Sequence, residues 1–133
     1  MKIMLDTNVI ISALIFGGRT KRLLSFLLQS KHKIFISEYV DKKFREKLEE
    51  KWPDVSFEVY AFYRSMSFIF CESSPTTENS IKLRDAKDIP VLCDALYNDI
   101  DILLTGDKDF LDVEVSKPFI CSPSMLSDFL RIA

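Results

Sequence analysis

The sequence has almost no histidine. His32 stands alone in Lys31-His32-Lys33, ahead of an apolar stretch, where a solvated turn residue fits better than a general base. Ser/His/Asp or Cys/His catalysis therefore cannot be built around it. Cysteine is also scarce: Cys71, Cys93 and Cys121 are odd in number, far apart and set in apolar sequence. That pattern argues against a disulfide framework or a zinc site with Cys-x-x-Cys spacing, and the three read as buried thiols packed as small hydrophobes. A positive excess is missing too, since the formal net charge is -2. A chain with this balance does not grip nucleic acid by overall charge, so any RNA binding needs a metal or a local patch to meet the phosphates.

Long hydrophobic runs are absent as well. Val9 to Phe16 is interrupted by Ser12 and followed by Gly17-Gly18, and Met1 to Leu5 is too short and wrongly flanked for a signal peptide, so the expectation is a cytoplasmic protein without membrane association. There is no internal repeat, low-complexity tract or Pro/Gly-rich linker. The most linker-like stretch, Glu72 to Asn79, reads as a surface loop.

What is present suits one globular domain over residues 1–133, with 47% hydrophobic residues to build a core. Short apolar runs at Lys2 to Leu5, Lys33 to Ile36, Ser67 to Cys71, Ile102 to Leu104 and Phe119 to Cys121 read as buried strands. Between them Leu23, Leu24, Leu27 and Leu28 fall at helical spacing, as do Val40, Phe44 and Leu48, then Phe57, Tyr60 and Ala61. Leu92, Ala95 and Leu96 mark another helix, and Met125, Leu126, Phe129 and Leu130 a last one. Alternation of this kind predicts a parallel sheet covered by helices on both faces. Ligands of such sheets sit outside the carboxyl ends of the strands, where the strand order reverses.

The strand ends carry acids. Leu5-Asp6-Thr7-Asn8 follows the first strand, and Thr105-Gly106-Asp107-Lys108-Asp109 follows Ile102 to Leu104, with a glycine that lets backbone approach closely. Asp88 precedes Pro90 and can cap a helix whose first turn tolerates proline, on the core-facing side. Taken singly, each has an ordinary structural role as a turn former, cap or solvated charge. Taken together, they predict convergence, and packed like charges destabilise a fold unless a cation neutralises them. Oxygen ligands without His or Cys favour Mg²⁺ or Mn²⁺, which can activate water for in-line displacement at phosphorus.

Three stretches in this order resemble the motifs of PIN domains: IMLDTNVIISALIF at 3 to 16, RDAKDIPVLCDAL at 84 to 96 and DILLTGDKDFL at 101 to 111. Ile120-Cys121-Ser122-Pro123, followed by an amphipathic helix, is similar to the branch assigned as VapC-type toxins of toxin-antitoxin systems. The resemblance spans essentially the whole chain. It implies a three-layer αβα sandwich with a central, mainly parallel sheet, often dimeric. It also implies a Mg²⁺- or Mn²⁺-dependent ribonuclease restrained by an antitoxin. Carried over by position, it makes Asp6, Asp88 and Asp107 the catalytic metal-binding acids, with Asp109 as a further ligand and Asn8 and Thr105 in support.

One position departs from the pattern. The family carries a glutamate on the second helix, about six residues after the serine that ends the second strand; that serine looks like Ser37, and Lys43 stands where the acid belongs. Glu46, about 60° around the helix from Lys43, is the stand-in. Alternatively, Lys43 is itself a built-in cation among the aspartates, leaving a degenerate module that binds RNA or protein without catalysis.

Gly17-Gly18-Arg19-Thr20-Lys21-Arg22 is a candidate contact for the RNA backbone, or else a solvated helix start capped by Thr20. Phe57, Tyr60, Phe62, Tyr63, Phe68 and Phe70 offer stacking for unpaired bases, or else a core or dimer face. A receiver domain would need paired acids after the first strand and an Asp after the third, where Glu72-Ser73 stands. A haloacid-dehalogenase-like phosphatase would need Asp at position 8, which is Asn8.

Overall fold

Apolar runs without polar alternation must be covered on both faces, and that is how they fold. The computed structural model describes residues 1–75, 89–107, 110 and 116–132. Its strands are β1 (Lys2–Leu5), β2 (Lys33–Ser37), β3 (Ile69–Cys71), β4 (Ile102–Leu104) and β5 (Phe119–Cys121). They form one sheet in the order β3-β2-β1-β4-β5, every pair parallel. Helices flank it: α1 (Thr7–Ile11), extended by a π-helical stretch Ser12–Phe16, then α2 (Gly18–Gln29), α3 (Glu38–Lys51), α4 (Ser56–Ser65), α5 (Ile89–Tyr97) and α6 (Pro123–Phe129). The result is the expected three-layer α/β sandwich.

Because β1 pairs with β2 on one side and β4 on the other, the chain order reverses between β1 and β4. The register Ile3 to Ile102 and Leu5 to Leu104 brings the carboxyl ends of these two strands level. Ile3, Met4, Leu5, Ile36, Leu103 and Leu104 are buried with Leu23, Leu27, Phe44, Leu48, Leu92 and Ala95 from the helices. Ser37 ends β2 and caps α3, its hydroxyl accepting from the Val40 amide at 3.3 Å.

Several local expectations change. The helical phase of α4 buries Tyr63, while Phe57 is 81% exposed and Ala61 faces solvent. Aromatics stand all round this helix, so apolar periodicity alone leaves its phase ambiguous. The polar partner decides it: Asp41 on α3 accepts from the hydroxyls of Tyr60 at 3.0 Å and Tyr63 at 2.9 Å. The Tyr63 ring packs among Phe44, Phe68 and Phe70, so Tyr63 and Phe68 are core, Tyr60 and Phe70 pack half-buried against it, and Phe57 and Phe62 stay exposed. Helix α2 starts at Gly18 after Gly17 at φ 77°, a left-handed conformation, so Thr20 is not its cap. Arg19 donates to the Ile132 carbonyl at 3.0 Å and pairs with Asp128, tying α2 to the carboxyl end of the chain. Cys93 and Cys121 are buried, whereas Cys71 is half-buried; none is disulfide-bonded. No helix among the described residues is long and apolar enough to cross a membrane.

The Tyr63 site separates ring packing from its polar handle. Phe44→Ala, which empties the centre of the α3–α4 contact, should lower unfolding free energy by about 3–5 kcal/mol. Tyr63→Phe keeps the ring and leaves Asp41 the Tyr60 hydroxyl, so it should cost only about 0.5–1.5 kcal/mol. Denaturant titration of both variants checks this, and equal losses would overturn the assignment of packing as the larger contribution.

Candidate functional site

The carboxyl ends of β1 and β4 meet at the order reversal, and Asp6 lies there. Its amide donates to the Leu104 carbonyl at 3.0 Å, carrying the β1–β4 pairing one residue further. Its Oδ1 accepts from the Thr7 amide at 2.7 Å, capping α1. Its Oδ2 accepts from the Thr105 hydroxyl at 2.8 Å. Thr105 is buried beyond β4, where its amide donates to the Cys121 carbonyl at 3.0 Å. The same hydroxyl oxygen accepts from the Asp107 amide at 3.1 Å, so one side chain links the two acidic motifs. A Cβ built on Gly106 meets open space, so the glycine is not demanded by a close backbone approach.

Asp6 is 7% exposed, and its carboxyl is pushed above the usual carboxylate range. Burial is the largest cause; the Thr105 and Thr7 hydrogen bonds oppose it, the Asp107 carboxylate adds to it, and Lys47 pulls it back. Lys47 went unnoticed in the sequence. It lies one turn beyond Lys43, about 40° around α3, and donates to Asn8 Oδ1 at 3.0 Å. Extending the helical face through Lys43 by one turn would have found it. Glu46 is instead 3.8 Å from Lys43, and Lys43 lies over the Tyr39 ring. Lys47, not Glu46, thus bridges α3 to the Asp6 motif.

Asp88 and Asp109 lie outside the described residues. Among the described residues no group of three His, Cys, Asp or Glu side chains is assembled as a metal site. A second buried acid was passed over in the sequence, although it stands within the apolar run Val91 to Leu96: Asp94 accepts from the Ser74 amide at 2.7 Å and the Ser73 hydroxyl at 2.9 Å. Ser73 Oγ accepts in turn from the Tyr39 amide at 2.9 Å, so Asp94 fixes the chain leaving β3.

The sequence pattern of the PIN domain matches residues 2–109, the stretch that holds Asp6, Thr105 and Asp107. The chain belongs to the PIN-domain family. The PIN fold here is similar to VapBC2 from Rickettsia felis, described as bound to a DNA fragment from its promoter, at 15% identity and TM-score 0.70 over 92% of this chain and 98% of that one. It is also similar to Mycobacterium tuberculosis VapC20, described as a sarcin-ricin loop cleaving toxin, at 13% identity and TM-score 0.61 over 82% and 92%. VapBC-1 from nontypeable Haemophilus influenzae gives 15% and 0.65 over 93% and 99%. At these identities the likeness establishes the fold. No curated protein matches the sequence.

A carboxylate whose folded pKa is raised favours folding only at low pH, and that advantage is lost as pH rises through the folded value. At neutral pH, metal-free PIN domain therefore bears the cost of ionised Asp6. Asp6→Asn keeps the shape and a capping oxygen for the Thr7 amide, so it should melt higher than wild type near pH 7, with the gain fading in the acid range. Thermal melts across pH check this; a variant less stable than wild type at neutral pH would overturn it.

Proposed function

We propose that this PIN domain is a divalent-metal-dependent ribonuclease and the toxin of a toxin-antitoxin pair. The observation that carries the proposal is the pairing of Asp6 and Asp107 around Thr105 at the strand-order reversal. Membership of the PIN family supports it. In the proposed site Asp6, Asp88 and Asp107 hold the metal, with Asp109 as a further ligand. Glu46, whose partner is Lys43, is left out of the ligand set.

The donors fit the group. Asp6 and Asp107 offer hard oxygens, and a buried carboxylate made costlier by a second one is a charge that a cation relieves. When bound, Mg²⁺ or Mn²⁺ would supply Lewis acidity and a more acidic water. The chain supplies preorganisation. Thr7 and Thr105 each hold one oxygen of Asp6, and Thr105 sets the turn that presents Asp107. Lys47 and Asn8 place a cation and an amide beside the Asp6 motif, groups suited to a phosphate oxygen.

The solved VapBC structures support a protein antitoxin as partner, and the reading includes a homodimer in the cytoplasm. A cavity of about 480 Å³ rimmed by exposed Phe119, Met125 and Phe129 gives a partner apolar surface. One observation favours the second reading, a binding module without chemistry: Lys47 already offsets part of the Asp6 charge.

Cleavage of single-stranded RNA with Mn²⁺ separates the two readings. The nuclease should be silenced by EDTA and by Asp6→Asn. Thr105→Val, which leaves the carboxylates but unties them, should lose about 10–100-fold. RNA binding without metal-dependent cleavage would overturn the nuclease reading in favour of the module.

A further inference from the structure

Beside the candidate site, the helical segment after β1 lies against the carboxyl-terminal half of α3. Between them is a cavity of about 410 Å³ lined by Asn8, Ile11, Ser12, Phe16, Lys47, Lys51 and Trp52. Its composition differs from the apolar cavity near α6. Two lysines one helical turn apart line it, no carboxylate does, and neither lysine is ion-paired with an acid among the described residues. At its far end Phe16, 73% exposed, meets Trp52 edge-on with ring centroids 6.0 Å apart. At its near end Lys47 is hydrogen-bonded to Asn8, two residues from Asp6.

We propose that this groove is a nucleotide subsite for single-stranded RNA: an unpaired base stacks on the Trp52–Phe16 pair while Lys47 and Lys51 take the phosphates on either side. The inference rests on the nuclease reading for its direction, because a strand whose phosphate lies at Asp6 and Asp107 continues past Asn8 into the groove. Ammonium groups beside aromatic rings, here exposed Phe16 and half-buried Trp52, are a means by which proteins hold unpaired strands. A volume of this size is within the range of small-ligand pockets. A duplex presents no unpaired base to the rings, so the subsite selects single strands or loops.

Trp52 is the only tryptophan of the chain, so emission excited selectively in tryptophan, to the red of tyrosine absorption, reports on the groove. The wild-type protein is titrated in EDTA with a labelled single-stranded RNA, following label anisotropy and tryptophan emission together. Saturable quenching that tracks anisotropy, weak for the same sequence as a duplex, is the expected result. Phe16→Ala should weaken binding by about 5- to 150-fold. Lys51→Gln, on an exposed helix face where folding is not at stake, should weaken it and lower the salt slope by about 0.7. RNA bound with Trp52 unquenched, or with Lys51→Gln at wild-type affinity and slope, overturns the subsite and leaves the groove to a protein partner. Quenching that persists where Mn²⁺ produces no cleavage supports the subsite and overturns the nuclease reading, so the two fail separately.

Discussion

Asp6 is a carboxylate almost sealed from water, in the position where the two central strands of a parallel sheet end and the chain parts to either side. A charge in such surroundings persists only if its oxygens are occupied, and the nearby structure follows from that requirement. The start of α1 supplies the Thr7 amide, and the end of β4 supplies the Thr105 hydroxyl. With its hydrogen given to Asp6, that hydroxyl keeps a lone pair for the Asp107 amide, so the second acidic motif is aimed by the same atom that stabilises the first. The hydrogen bonds lower the Asp6 pKa without cancelling the effect of burial, which leaves a site whose electrostatics favour a cation.

The positive charges are divided between structural and site roles by what lies beside them. Arg19 is used by α6, Arg64 lies 3.9 Å over the Phe70 ring, and Lys117 is bonded to Asp99 and Asp101 on the far side of the sheet. Lys47 and Lys51 sit on the α3 face next to Asn8, in a groove without acids. A chain of net charge -2 thus keeps a local positive patch beside its carboxylates. Local charge of this kind steers a polyanion over distances within a Debye length, which overall charge does not describe.

The fold was legible in the sequence because a buried parallel strand needs an unbroken apolar run and a covering helix needs apolar residues at helical spacing. Both signals are contained within a few residues. The strands ending at Leu5, Leu104 and Cys121 lie where such runs stop, and Asp6 and Thr105 follow directly. Alternation of strands and helices also implied that a reversal of strand order must occur with acids near it. The phase of α4 was not legible, because aromatics ring the helix and its orientation is set by Asp41, which belongs to a different helix.

Asp94 and Lys47 make the same point for polar groups. Asp94 stands in an apolar helical run, but nothing near it in sequence names its partners, since Ser73 and Ser74 are some twenty residues away. Lys43 drew notice through its distance from Ser37, yet the side chain that reaches Asn8 belongs to Lys47, one turn on. The sequence by itself determined the five strands and five of the helices, but not α1 and its π-helical extension, together with the parallel sheet and the acids that end β1 and follow β4. Only the tertiary structure decided that Thr105 joins those acids, that Lys47 reaches Asn8 beside Asp6, and that Phe16 meets Trp52. Periodicity reports which side of an element is apolar, whereas a hydrogen bond or ring contact between elements depends on how far the packed helices have turned and slid against one another.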